Sequence, residues 1–314
     1  MATMAELIQL KTRIRNAANK TAHLYMINRP RTRNPQLPYT VQGARNSNAI
    51  ATAFIDLFVM HLDKVTNDED ETVPYDINLD SDEYIQYIDS GAVTNASVIN
   101  DQIVNPNVTR LQALDDNFFK TIWAYAVKVQ FDGEELIFYR KYSNGKILSR
   151  STFDAITLRN GVFSAIDEDV FQIDPSVDAF LYNNEITILH MTNFERIFGY
   201  EDLYEAAAQS ALQEIAATHN FVDIATLSGF VSTDSRKKKK LAAIQRNNLI
   251  PNMGFRQIQS TIINYNLQIT IDVNNERFEI SKENALRFLK ALNDDYLQSE
   301  ATATRYEATS KRRS

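Results

Sequence analysis

The sequence predicts an α+β fold, with antiparallel β hairpins arranged as a meander and a helical C-terminal half. Three features carry this reading. The turn dipeptides Asp132-Gly133 and Asn183-Asn184 each separate two short strand-like runs, the pattern of a tight hairpin. Successive hairpins of that kind argue against a doubly wound parallel sheet. Helical periodicity then dominates from Asn193 onward.

Taken in order, Thr3 to Asn19 reads as a helix, with Leu7, Ile8, Leu10, Ile14 and Ala18 mostly on one side. His23-Leu24-Tyr25-Met26-Ile27 reads as a strand. Asn28 to Pro38 is a loop, with three prolines and Arg29, Arg31 and Arg33 at alternate positions. The best helical period follows: Ile50, Phe54, Leu57, Phe58, His61, Leu62 and Val65. Asn67-Asp68-Glu69-Asp70-Glu71 ends it in a like-charge run that repels itself and favours solvent. From there to about Pro106 the chain is polar, with a strand-like piece at Tyr84 to Ile88, and a boundary falls near residue 110.

Beyond the boundary, Ile122 to Phe131 pairs with Leu136 to Tyr142, and Asn144-Gly145 supplies another turn signal. Val177 to Tyr182 pairs with Glu185 to Leu189. Helices are expected over Asn193–His219, Phe221–Leu227, Arg236–Asn247 and Phe255–Asn264. A last hairpin (Leu267–Val273 with Arg277–Ile280) precedes a helix opened by Ser281, which is a capping residue. The tail from Ser299 to Ser314 is polar. Two regions result: 1–109, which includes the acidic segment 65–109, and 110–314.

The chain has 314 residues, 44% of them hydrophobic, and no cysteine. That length suits one large or two ordinary domains, and the hydrophobic share rules out disorder of the whole. Disulfides, thiolate metal sites and a thiol nucleophile are excluded. No apolar run approaches the ~18 residues of a bilayer span, and residues 1–20 lack the apolar core of a signal peptide. A soluble, intracellular protein is expected.

The net charge of −7 conceals an uneven distribution. Residues 1–50 carry +7, residues 65–109 hold ten carboxylates and no cation, and residues 236–314 carry +7. An acidic middle between basic ends points to an anionic partner. The acidic segment is expected to face away from that partner or to cover the basic surface.

The familiar catalytic patterns are missing: there is no HExxH, GxSxG, P-loop or GxGxxG. His23, His61, His190 and His219 form no metal pair at helical spacing. No cofactor and no resident metal is expected. The enzymatic alternative is a metal-dependent nuclease built on Asp272, Glu279 and Lys282 of the last hairpin, where carboxylate oxygens would hold Mg²⁺ and the lysine a phosphate. Glu279-Ile280-Ser281-Lys282 is one residue longer than an E-x-K element, which turns the lysine to the other face of a strand.

Arg236-Lys237-Lys238-Lys239-Lys240 is different in kind. Cations at a helix N-terminus oppose the macrodipole, whereas a phosphate backbone would reward each contact by counterion release. The expected DNA-binding strip adds Arg246, Arg256, Lys311, Arg312 and Arg313 to the run. An anionic membrane surface and plain solvation are the competing readings. The tract Phe194 to Phe230 offers Ile197, Phe198, Leu203, Ala206, Leu212 and Ile215 for a partner face as well as a core, so a homodimer or larger homo-oligomer is expected.

Two stretches resemble a known bacterial family. One runs from Val177 to Ile186 and on through Asn193-Phe194-Glu195-Arg196-Ile197-Phe198-Gly199-Tyr200. The other runs from Phe288 to Ser299 and on through Thr304-Arg305-Tyr306-Glu307. The family is the KwaB family of soluble subunits in the two-gene Kiwa anti-phage defence system. The resemblance spans roughly residues 110–312, departs at Ala301-Thr302-Ala303-Thr304, and carries no catalytic signature. It implies antiviral defence, sequence-independent binding of double-stranded DNA, and a cytoplasmic protein recruited to the inner membrane by a membrane-embedded KwaA-like subunit.

Overall fold

The computed structural model describes residues 3–30, 37–67, 71–79, 84–111, 121–142, 147–148, 156–159, 162–165, 170–171, 176–308 and 311. The chain divides into two compact units: Met1–Tyr75 with Asp82–Phe198, and Asp76–Ser81 with Gly199–Ser314. The composition shift near residue 110 therefore lies inside the first unit.

The first unit opens with α1 (Met4–Asn16), started by a capping box. The Thr3 hydroxyl accepts from the Glu6 N–H at 3.2 Å, and the Glu6 carboxylate accepts from the Thr3 N–H at 2.8 Å. These bonds satisfy donors that a helix start leaves free and hold the Glu6 carboxyl below its ordinary range. Then come β1 (Lys20–Asn28), β2 (Thr40–Ala44), α2 (Asn48–Asn67), β3 (Glu71–Pro74), β4 (Tyr84–Asp89) and α3 (Thr94–Val104). The hairpin β5 (Ile122–Phe131) and β6 (Glu134–Lys141) follows. Its turn places Asp132 at φ 45° and Gly133 at φ 88°, the left-handed pair such a tight connection needs.

Two short pairs come next: β7 (Ile147–Leu148) with β10 (Val170–Phe171), and β8 (Ile156–Arg159) with β9 (Val162–Ala165). The hairpin β11 (Ala179–Tyr182) and β12 (Glu185–Ile188) turns through Asn183 and Asn184, at φ 50° and 62°. Asn144-Gly145 lies outside the described residues.

Eight strands form one sheet in the order β2-β1-β5-β6-β11-β12-β4-β3, antiparallel except for the parallel pair β3–β4. Against one face, Leu7, Leu10 and Ile14 of α1 and Phe54, Phe58 and Leu62 of α2 pack on Leu24, Val127, Phe138 and Phe180. Phe58 stacks on Phe138 with ring centroids 5.4 Å apart. The other face carries α3 and α4 (Met191–Ile197). There the Tyr139 ring meets Phe198 at 5.2 Å, and the Trp123 indole N–H donates to the Arg196 carbonyl at 2.8 Å. The acidic segment thus supplies two strands and a helix rather than only solvated chain. Asp178 is buried in the same unit, accepting from the Lys141 N–H at 2.6 Å, from Asn193 Nδ2 at 2.9 Å and from Arg140.

One helix over Asn193–His219 was expected, and two are present. Gly199 adopts φ 73°, a left-handed conformation costly for any side chain, and the helix breaks there. In the second unit α5 (Tyr200–Thr218) is followed by α6 (Ile224–Ser232), α7 (Ser235–Arg246) and α8 (Phe255–Asn264). The expected helix over Phe221–Leu227 starts later, because Asp223 caps it and Val222 bridges to Phe278. The hairpin β13 (Thr270–Asp272) and β14 (Arg277–Glu279), then α9 (Ala285–Leu292), complete the core. Phe221, Phe278 and Phe288 meet at ring distances of 5.7 to 6.4 Å. The tail expected to be merely polar forms a hairpin, β15 (Tyr296–Gln298) with β16 (Arg305–Glu307).

Candidate nucleic-acid interface

The basic run occupies the first turns of α7, as its capping sequence predicts. The Asp234 carboxylate accepts from the Arg236 N–H at 3.0 Å and closes the helix start. Burial alone would raise the Asp234 carboxyl. The hydrogen bonds from Arg236 and the nearby Lys237 outweigh it and leave the group below its ordinary 3.8.

The cations do not lie together on one solvent face. Five consecutive residues sweep right round a helix of about 3.6 residues per turn. Lys237 shares a face with the core residues Leu241 and Ile244 and is only 6% exposed. Its ammonium stands 3.7 Å from Asp234 and donates to the Phe230 carbonyl at 3.4 Å. Lys238 pairs with Glu205 of α5. Lys240 stands 2.7 Å from Asp295, a carboxylate 1% exposed.

Lys311 reaches the same carboxylate at 3.0 Å and donates to the Asn293 carbonyl. Asn293 in turn donates to Asp295 at 2.8 Å and to Asn78 at 3.0 Å. Lys240, Lys311 and Asp295 form a buried polar cluster that sequence reading missed. No local pattern announces it, since Lys240, Asp295 and Lys311 are far apart in the chain.

Arg236 remains open, its side chain 76% exposed with Asp234 at 3.3 Å. Arg246 and Arg256 are also exposed, and Lys239 is half-buried. Arg256 has no ion-pair partner among the described residues. Arg312 and Arg313 lie outside them, as do Arg31, Arg33, Asp68, Glu69 and Asp70. Of the eight described members of the expected strip, the exposed ones are Arg236, Arg246 and Arg256. The arithmetic explains it: residues 199–235 hold six carboxylates and no cation, so the second unit supplies its own counter-charges.

Asp272, Glu279 and Lys282 are not assembled into one site. Thr270 faces Glu279 and Asp272 faces Arg277, which puts the two carboxylates at opposite ends of the hairpin. Asp272 and Glu279 do line one open cleft of about 670 Å³ with Asp223 and Arg277, and Lys282 is not part of it. Hydrogen bonds from Asn275 hold Asp272 low, and the Thr226 hydroxyl does the same for Asp223. Both carboxylates cap their own turns. No group of three or more histidines and carboxylates is placed to hold a metal ion among the described residues.

Most of the proposed partner face is core: Ile197, Phe198, Leu212 and Ile215 are buried. Leu203, 44% exposed, and Ala206 remain open. Among the described residues, no helix is long and apolar enough to cross a membrane.

Comparison with known proteins now bears on this geometry. The sequence model of the family described as "Kiwa protein KwaB-like" matches residues 119–302. A curated protein of Escherichia coli O55:H7 (strain RM12579 / EPEC), Kiwa protein KwaB, is 25% identical over 287 residues, covering 85% of this chain and 86% of its own. No solved structure matches.

Proposed function

The chain belongs to the Kiwa protein KwaB-like family, and from that premise we propose that it acts in bacterial anti-phage defence as a non-specific DNA-binding subunit. In this reading it works beside a membrane-embedded KwaA-like partner, is cytoplasmic, and is held at the inner membrane through that partner. It forms a homodimer or larger homo-oligomer, for which Leu203 and Ala206 on α5 are the open positions.

The observation that supports DNA binding is cationic charge held open to solvent. Arg236 projects into solvent from the start of α7, and Arg256 is exposed on α8 without an ion pair among the described residues. A helix N-terminus gains nothing from a cation, while a phosphate backbone does.

The experiment is a gel-shift series with unrelated duplexes across a range of salt. Arg236→Ala with Arg256→Ala should weaken binding equally for all sequences and flatten the slope of log K against log salt by up to about two. An unchanged slope in the folded variant would remove these arginines from the interface. Reversing Lys237 and Lys240 would be a poor test, because both hold the fold together.

A further inference from the structure

The first unit contains a cleft of about 510 Å³ whose lining, among the described residues, includes His23, Arg45, Arg110 and Lys128 and no carboxylate. The chain as a whole has 40 acidic residues against 33 basic ones, so a wall of one sign is not what composition predicts. Each of these four side chains is placed by backbone that the sheet fixes.

In β1 and β5, Leu24, Val127 and Val129 face the core of α1 and α2, which turns His23 and Lys128 to the opposite side. The register sets His23 directly across from Lys128. The β1–β2 ladder runs through Leu24 and Ala44, so its next step brings Arg45 beside His23. Asn46 secures that step: its side-chain amide donates to the Ala22 carbonyl at 3.0 Å and accepts from the Leu24 N–H at 3.4 Å. Arg110 follows from a parallel bridge to Gly43, closed by Gly43 N–H to Thr109 O at 3.0 Å and Leu111 N–H to Gly43 O at 2.9 Å. Leu111 packs on the core, and Arg110 therefore turns away from it.

Like charges set across neighbouring strands destabilise a sheet, so the fold does not account for this row. Lys128 has a carboxylate neighbour, Glu135 at 2.9 Å. Neither Arg45 nor Arg110 makes an ion pair or side-chain hydrogen bond among the described residues. The C-terminal end of α3 borders the cleft through Ile103 and Val104. It contributes only about half a negative charge, against at least two unpaired guanidiniums.

We infer that this cleft is a binding site for a phosphate-bearing anion. The guanidiniums of Arg45 and Arg110 present paired N–H donors that match phosphate oxygens. His23 on β1 and Lys128 on β5 continue the row beyond Arg45 as further donors. A nucleic acid backbone and a free phosphate compound share this chemistry. The site goes beyond the arginines of α7 and α8, since it lies in the other unit.

The test uses the full chain and inorganic pyrophosphate at constant ionic strength, chloride making up the balance. Pyrophosphate should raise the melting midpoint of the wild type saturably, and should not raise that of the Arg45→Ala, Arg110→Ala variant. The Arg45→Lys, Arg110→Lys variant, which keeps charge and loses the fork, should respond weakly. No rise in the wild type, or an equal rise in the alanine variant, would overturn the site.

A fluorescein-labelled duplex separates the sources. Displacement by pyrophosphate, with about tenfold weaker duplex binding by the alanine variant, assigns the site to a nucleic acid backbone. Unaltered duplex binding beside a lost pyrophosphate response assigns it to a free phosphate compound. A wild type that binds no duplex would sink the DNA-binding proposal alone, and the pyrophosphate result would still decide the cleft.

Discussion

The basic run of α7 and the cleft around Arg45 are both rich in cations, and the fold treats them in opposite ways. On α7, Lys237 goes into the core edge, Lys238 takes Glu205, and Lys240 joins Lys311 on the buried Asp295. Around β1 and β2, Arg45 and Arg110 keep open guanidiniums beside His23 and Lys128. The dense run is mostly architecture, whereas in the dispersed set only Lys128, with Glu135 at 2.9 Å, has an ion pair among the described residues. A charge count along the sequence sees the first and misses the second, because neutralising partners come from other elements.

The contrast breaks most sharply at Asp295. Asp295→Ala leaves Lys240 and Lys311 without their shared carboxylate and should cost about 3 kcal/mol of stability in urea unfolding. Replacing all three by apolar residues of similar volume should restore most of that loss. If Asp295→Ala is neutral, α7 is no more architectural than the cleft.

The cleft should behave in the reverse manner. Arg45→Ala with Arg110→Ala should change stability by no more than about 0.5 kcal/mol, with a slight gain from relieved repulsion. A loss above about 1 kcal/mol would make the guanidiniums structural, and the two regions alike.

The smallest effect is in acid. The Asp234 carboxyl is lowered below 3.8 in the folded chain, so its contribution is complete above that value and is lost as pH falls through the folded value. The stability difference between wild type and Asp234→Asn should be flat above about pH 5 and shrink below about pH 4. A difference that grows in acid would reverse the sign assigned to the Arg236–Asp234 pair.

The hairpins β5–β6 and β11–β12 were legible in the sequence because each is local: two apolar runs and a turn able to hold positive φ. Helix α8 was legible to the residue, and α2 closely, from periodicity alone. The sheet order was not. β1 lies between β2 and β5, and β4 pairs with β12 about a hundred residues away, pairings that no short window contains. Helix α3 hides behind Thr94, Asn95 and Ser97, whose small polar side chains are weak helix formers, and it is held by Ala96, Ile99 and Ile103 buried beneath it. At the candidate interface, the sequence marked the cations of α7 but not Glu205 or Asp295, which use them up. It offered no sign that His23, Arg45 and Lys128 stand in one row, because that row exists only across strands.

The register of β1 also bears on how the chain is made. Lys20 pairs with Phe131 and Ile27 with Ala124, so the inner neighbour of β1 is about a hundred residues downstream. At a synthesis rate of about 5–20 residues per second, roughly 5 to 20 seconds pass before β5 can leave the ribosome and close that ladder. Through that interval β1, β2, α1 and α2 have each other but no sheet centre, and Leu24, Phe54 and Phe58 have only part of their final cover. The nascent N-terminal third is therefore the stretch on which holding chaperones should act, and the emergence of β5 is the event that should release them.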